Sequence, residues 1–238
     1  MNAIQKILLL CLLLSVSPFF LQAQSLFREG EIIYQADTVR RLERHPAVYI
    51  ATQLVVYRKA DATRLEVWKT NYWNPADTQK EIHVRNLTGT YTWIEFSDST
   101  FAASSKLVMF VSYEEENQLQ RKQVLTRLNR RHQPKQILES VQWLGLPAER
   151  ITLAKGTDNE SEAVVTKAID LSLGSIFPSI LTLSGTPLQF TNGDGSWLTH
   201  YSAKTLNSRP IPDQLFVVDP SLKVMNLTES RQMISDFD

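Results

Sequence analysis

The feature that most limits what this chain can become is a succession of strand-like segments set too close together for anything but antiparallel pairing. Glu31–Thr38, Ala47–Lys59, Arg64–Trp73, Glu81–Arg85, Thr90–Ser97 and Lys106–Tyr113 are rich in Val, Ile, Tyr, Trp and Thr, with partial apolar–polar alternation. Turn chemistry separates them at Arg44-His45-Pro46, Lys59-Ala60-Asp61, Asn74-Pro75-Ala76-Asp77, Asn86-Leu87-Thr88-Gly89 and Ser97-Asp98-Ser99. A parallel crossover needs roughly a dozen residues or more, so these gaps predict a meander.

The pattern returns at Gln136–Leu144, Arg150–Ala154, Glu162–Ser172, Pro187–Phe190, Trp197–Thr205 and Leu215–Val218. Asn192-Gly193-Asp194-Gly195 predicts a hairpin, because both glycines tolerate positive φ. Three segments read differently. In Glu114–Gln133 the acids Glu114–Glu116 come first and Arg127, Arg130 and Arg131 last, which suits a helix dipole. Its narrow stripe of Leu119, Val124, Leu125 and Leu128 places that helix on the surface or over one end of a sheet. The run Arg121, Lys122, Arg127, Arg130, Arg131 and Lys135 reads either as a basic face for an anionic lipid or acidic partner or, more plainly, as a solvated helix face. Ile176–Leu183, with Pro178, reads as a short helix or packed loop. Asn226 with Glu229 three residues on resembles a capping box opening a last helix to about Phe237. The fold class expected is mainly β (α+β): an antiparallel sheet with two or three helices.

The N-terminus gives an address. Met1–Gln5 is short and polar, Lys6 carries the charge, Ile7–Phe20 is a nearly unbroken apolar run, and Leu21-Gln22-Ala23 offers a cleavage site before Gln24. That order predicts a signal peptide at 1–23 and, with no composition break afterwards, one domain at 24–238. The single cysteine, Cys11, falls in the apolar run, and Leu10 before it is not the small residue of a lipid-modified signal. The mature chain of about 215 residues then has no thiol, which excludes disulfides, thiol catalysis and cysteine metal sites. No later segment is long and apolar enough for a transmembrane helix. With 25 basic and 25 acidic residues, nothing favours nucleic acid. Sequons at Asn86, Asn159 and Asn226 matter only in a eukaryotic secretory pathway; the short signal and cysteine-free body point to the periplasm of a bacterial envelope.

Catalytic patterns are thin. His45, His83, His132 and His200 are scattered with no i, i+4 pair, and Gly-x-Ser-x-Gly is absent. The Asn192–Ser196 stretch fails as a calcium loop because Ala203 stands where a carboxylate is required. A hydrolase would need a cluster assembled by the fold, for instance around His200 and Asp194. The chain is therefore read as non-enzymatic, with no cofactor and no metal. Aromatic residues carry the remaining signal. Trp68, Tyr91, Trp93, Phe96 and Phe110 in the first meander form a candidate ligand-binding set for a hydrophobic ligand; the competing reading is ordinary core. Alternation puts Tyr91 and Trp93 on one face and Ile94 and Phe96 on the other.

Four segments, in order, resemble the LolA/LolB-like lipoprotein-carrier superfamily, nearest to periplasmic relatives such as the GLPGLI-type family. Glu29-Gly30-Glu31-Ile32-Ile33-Tyr34 is similar to its opening strand and Leu144-Gly145-Leu146-Pro147-Ala148-Glu149-Arg150-Ile151-Thr152 to its mid-chain turn. Gly185-Thr186-Pro187-Leu188-Gln189-Phe190 and Ile211-Pro212-Asp213-Gln214-Leu215-Phe216-Val217-Val218-Asp219-Pro220 resemble its later strand and closing segment. The resemblance implies an open, strongly curved half-barrel sheet whose apolar concave face takes a lipid, a lipoprotein or another hydrophobic ligand. The GLPGLI motif itself is absent, and strand-like sequence begins where the carriers have a helix, so lipoprotein shuttling is not carried over. The alternative from another class is an envelope interaction or scaffold protein that pairs with a protein partner through its sheet edges.

Overall fold

The computed structural model describes residues 27–41, 49–97, 107–118, 136–153, 161–171, 173, 185–193 and 197–235. The expected signal peptide, Ile176–Leu183, the hairpin tip at 194–196 and the expected helix beyond 118 lie outside the described residues. Twelve strands form one sheet: β1 (Glu29–Arg41), β2 (Tyr49–Lys59), β3 (Ala62–Asn71), β4 (Thr78–Arg85), β5 (Gly89–Phe96), β6 (Leu107–Ser112), β7 (Gln136–Trp143), β8 (Leu146–Leu153), β9 (Ser161–Thr166), β10 (Thr186–Gly193), β11 (Trp197–Asn207) and β12 (Lys223–Asn226). A C-terminal helix, α1 (Leu227–Ser235), follows, and residues 113–118 form a shorter helix. Among the described residues no helix is long and apolar enough to cross a membrane.

The strand order is β12-β6-β5-β4-β3-β2-β1-β11-β10-β9-β8-β7. Two meanders, β1–β6 and β7–β11, therefore join through β1 and β11, and the two ends do not close. Neighbours are antiparallel throughout, as the short gaps require, except that β12 runs parallel to β6. The architecture is the mainly β, open sheet expected, made mixed by that one pair.

Curvature follows from one contact. β7 lies four ladder steps from β11, about 19 Å away in a flat sheet. Yet Trp143 Nε1 donates to the Ala203 carbonyl at 3.1 Å. The sheet must curl to bring them together. Register shifts at Ile33/Tyr34, Ala51/Gln53, Ile137/Glu139 and Pro187/Gln189 supply local bends, since a bulged strand bends and twists more.

Residues opposite one another in register share a face. Ile32 and Tyr34 oppose Val56 and Leu54, which oppose Leu65 and Val67, and all six are buried on the inner face. Leu188, Phe190, Tyr201 and Ala203 close the same core from the other meander. Phe190 stacks on Tyr201 with ring centres 5.0 Å apart, and the buried Tyr34 hydroxyl donates to the Pro187 carbonyl at 2.9 Å. Residues 168–171 and 173 lie on this face as well. Ala168, Ile169, Leu171 and Leu173 are buried in the core, Arg58 donates to the Asp170 carbonyl, and the Thr186 hydroxyl accepts from Leu171 N–H and donates to Ile169 O.

The outer face is covered by a strap, residues 208–222, that leaves β11 and returns as β12. Arg209 bridges Glu31, Lys59 bridges Asp213 and donates to Ile211 O, and Arg64 donates to Leu215 O. Beyond them Phe216, Val218 and Leu222 pack on a second core of Ile82, Val84, Trp93 and Val108. Two glycines allow strands to approach: a Cβ on Gly30 (φ +155°) would lie 2.3 Å from Asn207 O, and one on Gly89 (φ +154°) 2.3 Å from Val111 O.

Four boundaries differ from the sequence reading. Leu144 and Gly145 take φ of +51° and +77°, forming the two-residue turn, so β8 starts at Leu146 and Pro147 sits inside a strand. The segment read as a strand over Glu162–Ser172 ends at Thr166, whose hydroxyl takes the Ala168 N–H. Leu215–Val218 is not a strand. Asp213–Phe216 form a 3-10 turn after Pro212, and Phe216 and Val218 pack on the outer face. β12 has no alternation long enough to read.

Candidate functional site

The inner face changes character between β3 and β6. Lys69 on β3, Glu81 and His83 on β4 and Thr92 on β5 form one polar row, placed together because His83 opposes Thr92 in register and Glu81 opposes Val67, two residues before Lys69. Lys69 Nζ lies 2.7 Å from Glu81 Oε2, His83 Nε2 lies 3.0 Å from Glu81 Oε1, and His83 Nδ1 lies 3.0 Å from Thr92 Oγ1. His83 thus joins the two groups, with Nε2 on the carboxylate and Nδ1 on the Thr92 hydroxyl. Burial pushes the Glu81 carboxyl up, but the hydrogen bond and charge of His83 and the Lys69 ammonium outweigh it and hold Glu81 well below the usual carboxylate range.

Beside this row the inner face of β5 and β6 is apolar. Ile94, Leu107, Met109 and Val111 are half-buried there and belong to neither of the two cores that the described residues define. Arg85 ends the polar row, its guanidinium 5.2 Å from the Tyr113 ring centre and 3.6 Å from Glu116 on the helix at 113–118. The surface is thus amphipathic, with a charge-balanced row against an aliphatic strip.

A Thr–His–Glu line resembles a nucleophile, base and orienting acid. The same Thr–His contact recurs on the outer face, where His200 Nδ1 lies 3.1 Å from Thr191 Oγ1, and these two residues are also register partners. The spacing is therefore what ladder geometry produces between opposed Thr and His, and Lys69 already occupies the second Glu81 oxygen. Asp194, suggested beside His200, lies outside the described residues. Among the described residues no group of three or more His, Cys, Asp or Glu could hold a metal ion.

The five aromatic residues expected to line a groove are split between faces. Trp68, Tyr91, Trp93 and Phe110 are on the outer face and Phe96 on the inner one. Trp93 is 6 % exposed within the outer core, and its ring centre lies 5.5 Å from the Arg64 guanidinium. Tyr91 packs against that core and against the Phe110 ring, with centres 4.7 Å apart. Trp68 is 40 % exposed, with the Lys80 ammonium 5.1 Å from its ring centre. The pairing of Tyr91 with Trp93 and of Ile94 with Phe96 on opposite faces agrees with the alternation. The strap that covers the first pair was not legible.

No protein-family model matches the chain, and no curated protein matches it significantly. Solved structures give partial likenesses. An uncharacterised conserved protein of Thermus thermophilus aligns at 10 % identity with a TM-score of 0.46, covering 88 % of this chain and 98 % of its own. The MucA/MucB complex of Pseudomonas aeruginosa aligns at 9 % identity with a TM-score of 0.35, and the chain spans 62 % of that protein's length. The Mycobacterium tuberculosis lipoprotein LppX aligns at 12 % identity with a TM-score of 0.35, covering 81 % of this chain and 92 % of its own. These are likenesses of chain path; the open-sheet architecture rests on the strand order itself.

The sequence reading missed Lys69, Glu81, His83, Thr92 and Met109. A faint signal existed: Glu81 and His83 are two apart on a strand and so share a face. That they meet Lys69 and Thr92 depends on register, which no local pattern supplies.

Proposed function

We propose that the chain is an exported, non-enzymatic binding module of the bacterial periplasm whose inner face takes a hydrophobic or amphipathic ligand such as a lipid. One observation carries the reading: Ile94, Leu107, Met109 and Val111 form an aliphatic strip outside both cores, on the inner side of a curled sheet and flanked by a polar row. An acyl chain laid on the strip would bury apolar area at roughly 25 cal/mol per Å² before ordering costs. The polar row would meet a head group.

The test is titration of the mature protein with a fluorescent long-chain fatty acid. Met109→Arg puts a charge on the strip and weakens probe binding about tenfold or more, while Trp93→Ala acts on stability. Absence of saturable binding, or equal binding by Met109→Arg, would sink the reading.

A second reading is favoured by one observation of its own. Among the described residues β7 is the last strand of the sheet, and Ile137 on it is 58 % exposed. Such an edge suits addition of an extended segment from an envelope protein partner. Leu138→Pro, which removes an edge donor, would abolish stoichiometric co-purification of that partner; retention of the partner would exclude β7 as its site.

A further inference from the structure

We infer that the C-terminal strap is an autoinhibitory latch: Asp213–Asn226 occupies, within the chain, an acceptor for an extended apolar strand. The acceptor is the outer face of β4–β6 together with the β6 edge that β12 pairs. Its floor lies on the face opposite the proposed ligand strip, and of the latch Met225 reaches round to the inner face beside Met109.

The contact is one-sided. Beneath the strap, Ile82, Val84 and Val108 are fully buried, whereas no residue of Asp213–Phe216 is buried and Val217 is 61 % exposed. The strap is therefore a thin cover over a well-packed floor. Its polar anchor is weak by position: Asp213, which bridges Lys59, carries a largely exposed side chain, and pairs of this kind contribute little. The bidentate Arg209 pair on the buried Glu31 lies ahead of the latch and holds the chain there. Its closing strand is four residues long and makes the one parallel pairing among the described strands, the less stable kind.

Opening also has a compensation. Arg64 and Glu66, paired at 2.7 Å with side chains only 9 % and 7 % exposed, lie under the strap. Uncovering them returns a desolvated ion pair to water, which offsets part of the apolar surface lost. Of Asp213–Asn226 only Met225 is buried, the other side chains are half-buried or exposed, and the closing strand is short. Such a unit opens below the global unfolding energy, while the fully buried Ile211 ahead of it stays in place.

The strap also defines what would replace it. Phe216, Val218 and Leu222 supply spaced apolar side chains, Arg64 donates to a backbone carbonyl at Leu215, and β6 offers ladder bonds to an incoming strand. An extended peptide of that chemistry, supplied by another protein, fits the same surface.

The test combines hydrogen exchange on the mature chain with a fluorescein-labelled synthetic peptide of the Asp213–Asn226 sequence. Amides of 215–226 should exchange about 100-fold or more faster than those of β1 and β11. Phe216→Ala should speed the strap further and leave β1 and β11 unchanged. It should also tighten peptide binding in proportion to the open fraction, about tenfold for a tenfold rise in opening. If Phe216→Ala loosens β1 and β11 as well, Leu222→Ala takes its place, since it removes a half-buried strap side chain from the same floor and touches neither strand. Strap amides that exchange in step with β1 and β11 overturn the latch, and peptide binding unchanged by a faster-opening strap overturns the acceptor.

Discussion

Replacing Trp93 with alanine separates a core tryptophan from a ligand-contacting one. The ring is 6 % exposed and packs with Ile82, Val84 and Val108 under Phe216 and Val218 of the strap. Removing a buried ring of this size costs about 3–5 kcal/mol in lost transfer energy and residual cavity. Loss of the Arg64 guanidinium contact, 5.5 Å from the ring centre, adds about 0.5–2 kcal/mol. The sum, about 3.5–7 kcal/mol, is a large part of the 5–15 kcal/mol typical of a domain and corresponds to a Tm lowered by about 7–28 °C. Trp93→Phe keeps most of the apolar area and loses the Nε1 bond to Glu95, so it should cost about 1–2 kcal/mol. The assay is urea unfolding followed by far-UV circular dichroism, paired with acyl-probe titration below the transition. Probe affinity should change by less than about threefold in molecules that remain folded. A destabilisation under about 1 kcal/mol with a tenfold loss of probe binding would refute the reasoning, because Trp93 would then face ligand and not strap.

Gly30→Ala should destabilise by about 2 kcal/mol or more in urea titration, because its Cβ would fall 2.3 Å from the Asn207 carbonyl and force β1 from β11. Glu81, held below its usual range, contributes stability that is present above the unfolded-chain value near 4.5 and is lost as pH falls through the folded value. The advantage of wild type over Glu81→Gln in stability curves should therefore be full at pH 6 and shrink between pH 4.5 and pH 3, by at most about 1.4 kcal/mol per pH unit; a constant difference would rule out that linkage. Asn226→Ala should cost about 1 kcal/mol, since Asn226 Oδ1 accepts from Glu229 N–H and Glu229 Oε2 accepts from Asn226 N–H, both at 2.9 Å. Thermal melts of Asn226→Ala and Asn226→Ser would check it, with serine restoring most of the loss.

What could be read from the sequence was local. The capping box at Asn226 and Glu229 is visible as a spacing, and the same spacing at Ser112 and Glu115 forms the same reciprocal bonds. Strand positions followed from β-branched and aromatic runs, and antiparallel order from short gaps. What failed was decided by distant partners. Leu215–Val218 has the composition of a strand, but its carbonyl at Leu215 is taken by Arg64 and its side chains by a face formed far earlier in the chain. Pro187 was expected to open a strand and stands second in β10, whereas Pro147 lies inside β8 ahead of the strand expected from Arg150; a missing N–H is tolerated at particular ladder positions. Tyr91 and Trp93 on one face and Phe96 on the other followed from alternation, but joining all five aromatics as one surface did not hold, because alternation gives sidedness and not what lies on each side.

The most direct test of the central claim is native mass spectrometry of the mature protein, purified from the periplasm without detergent, beside its Met109→Arg variant. A binding inner face predicts a discrete added mass on the wild type that releases as lipid on extraction and is absent from Met109→Arg. A bare wild-type mass, or an adduct retained equally by Met109→Arg, would contradict it.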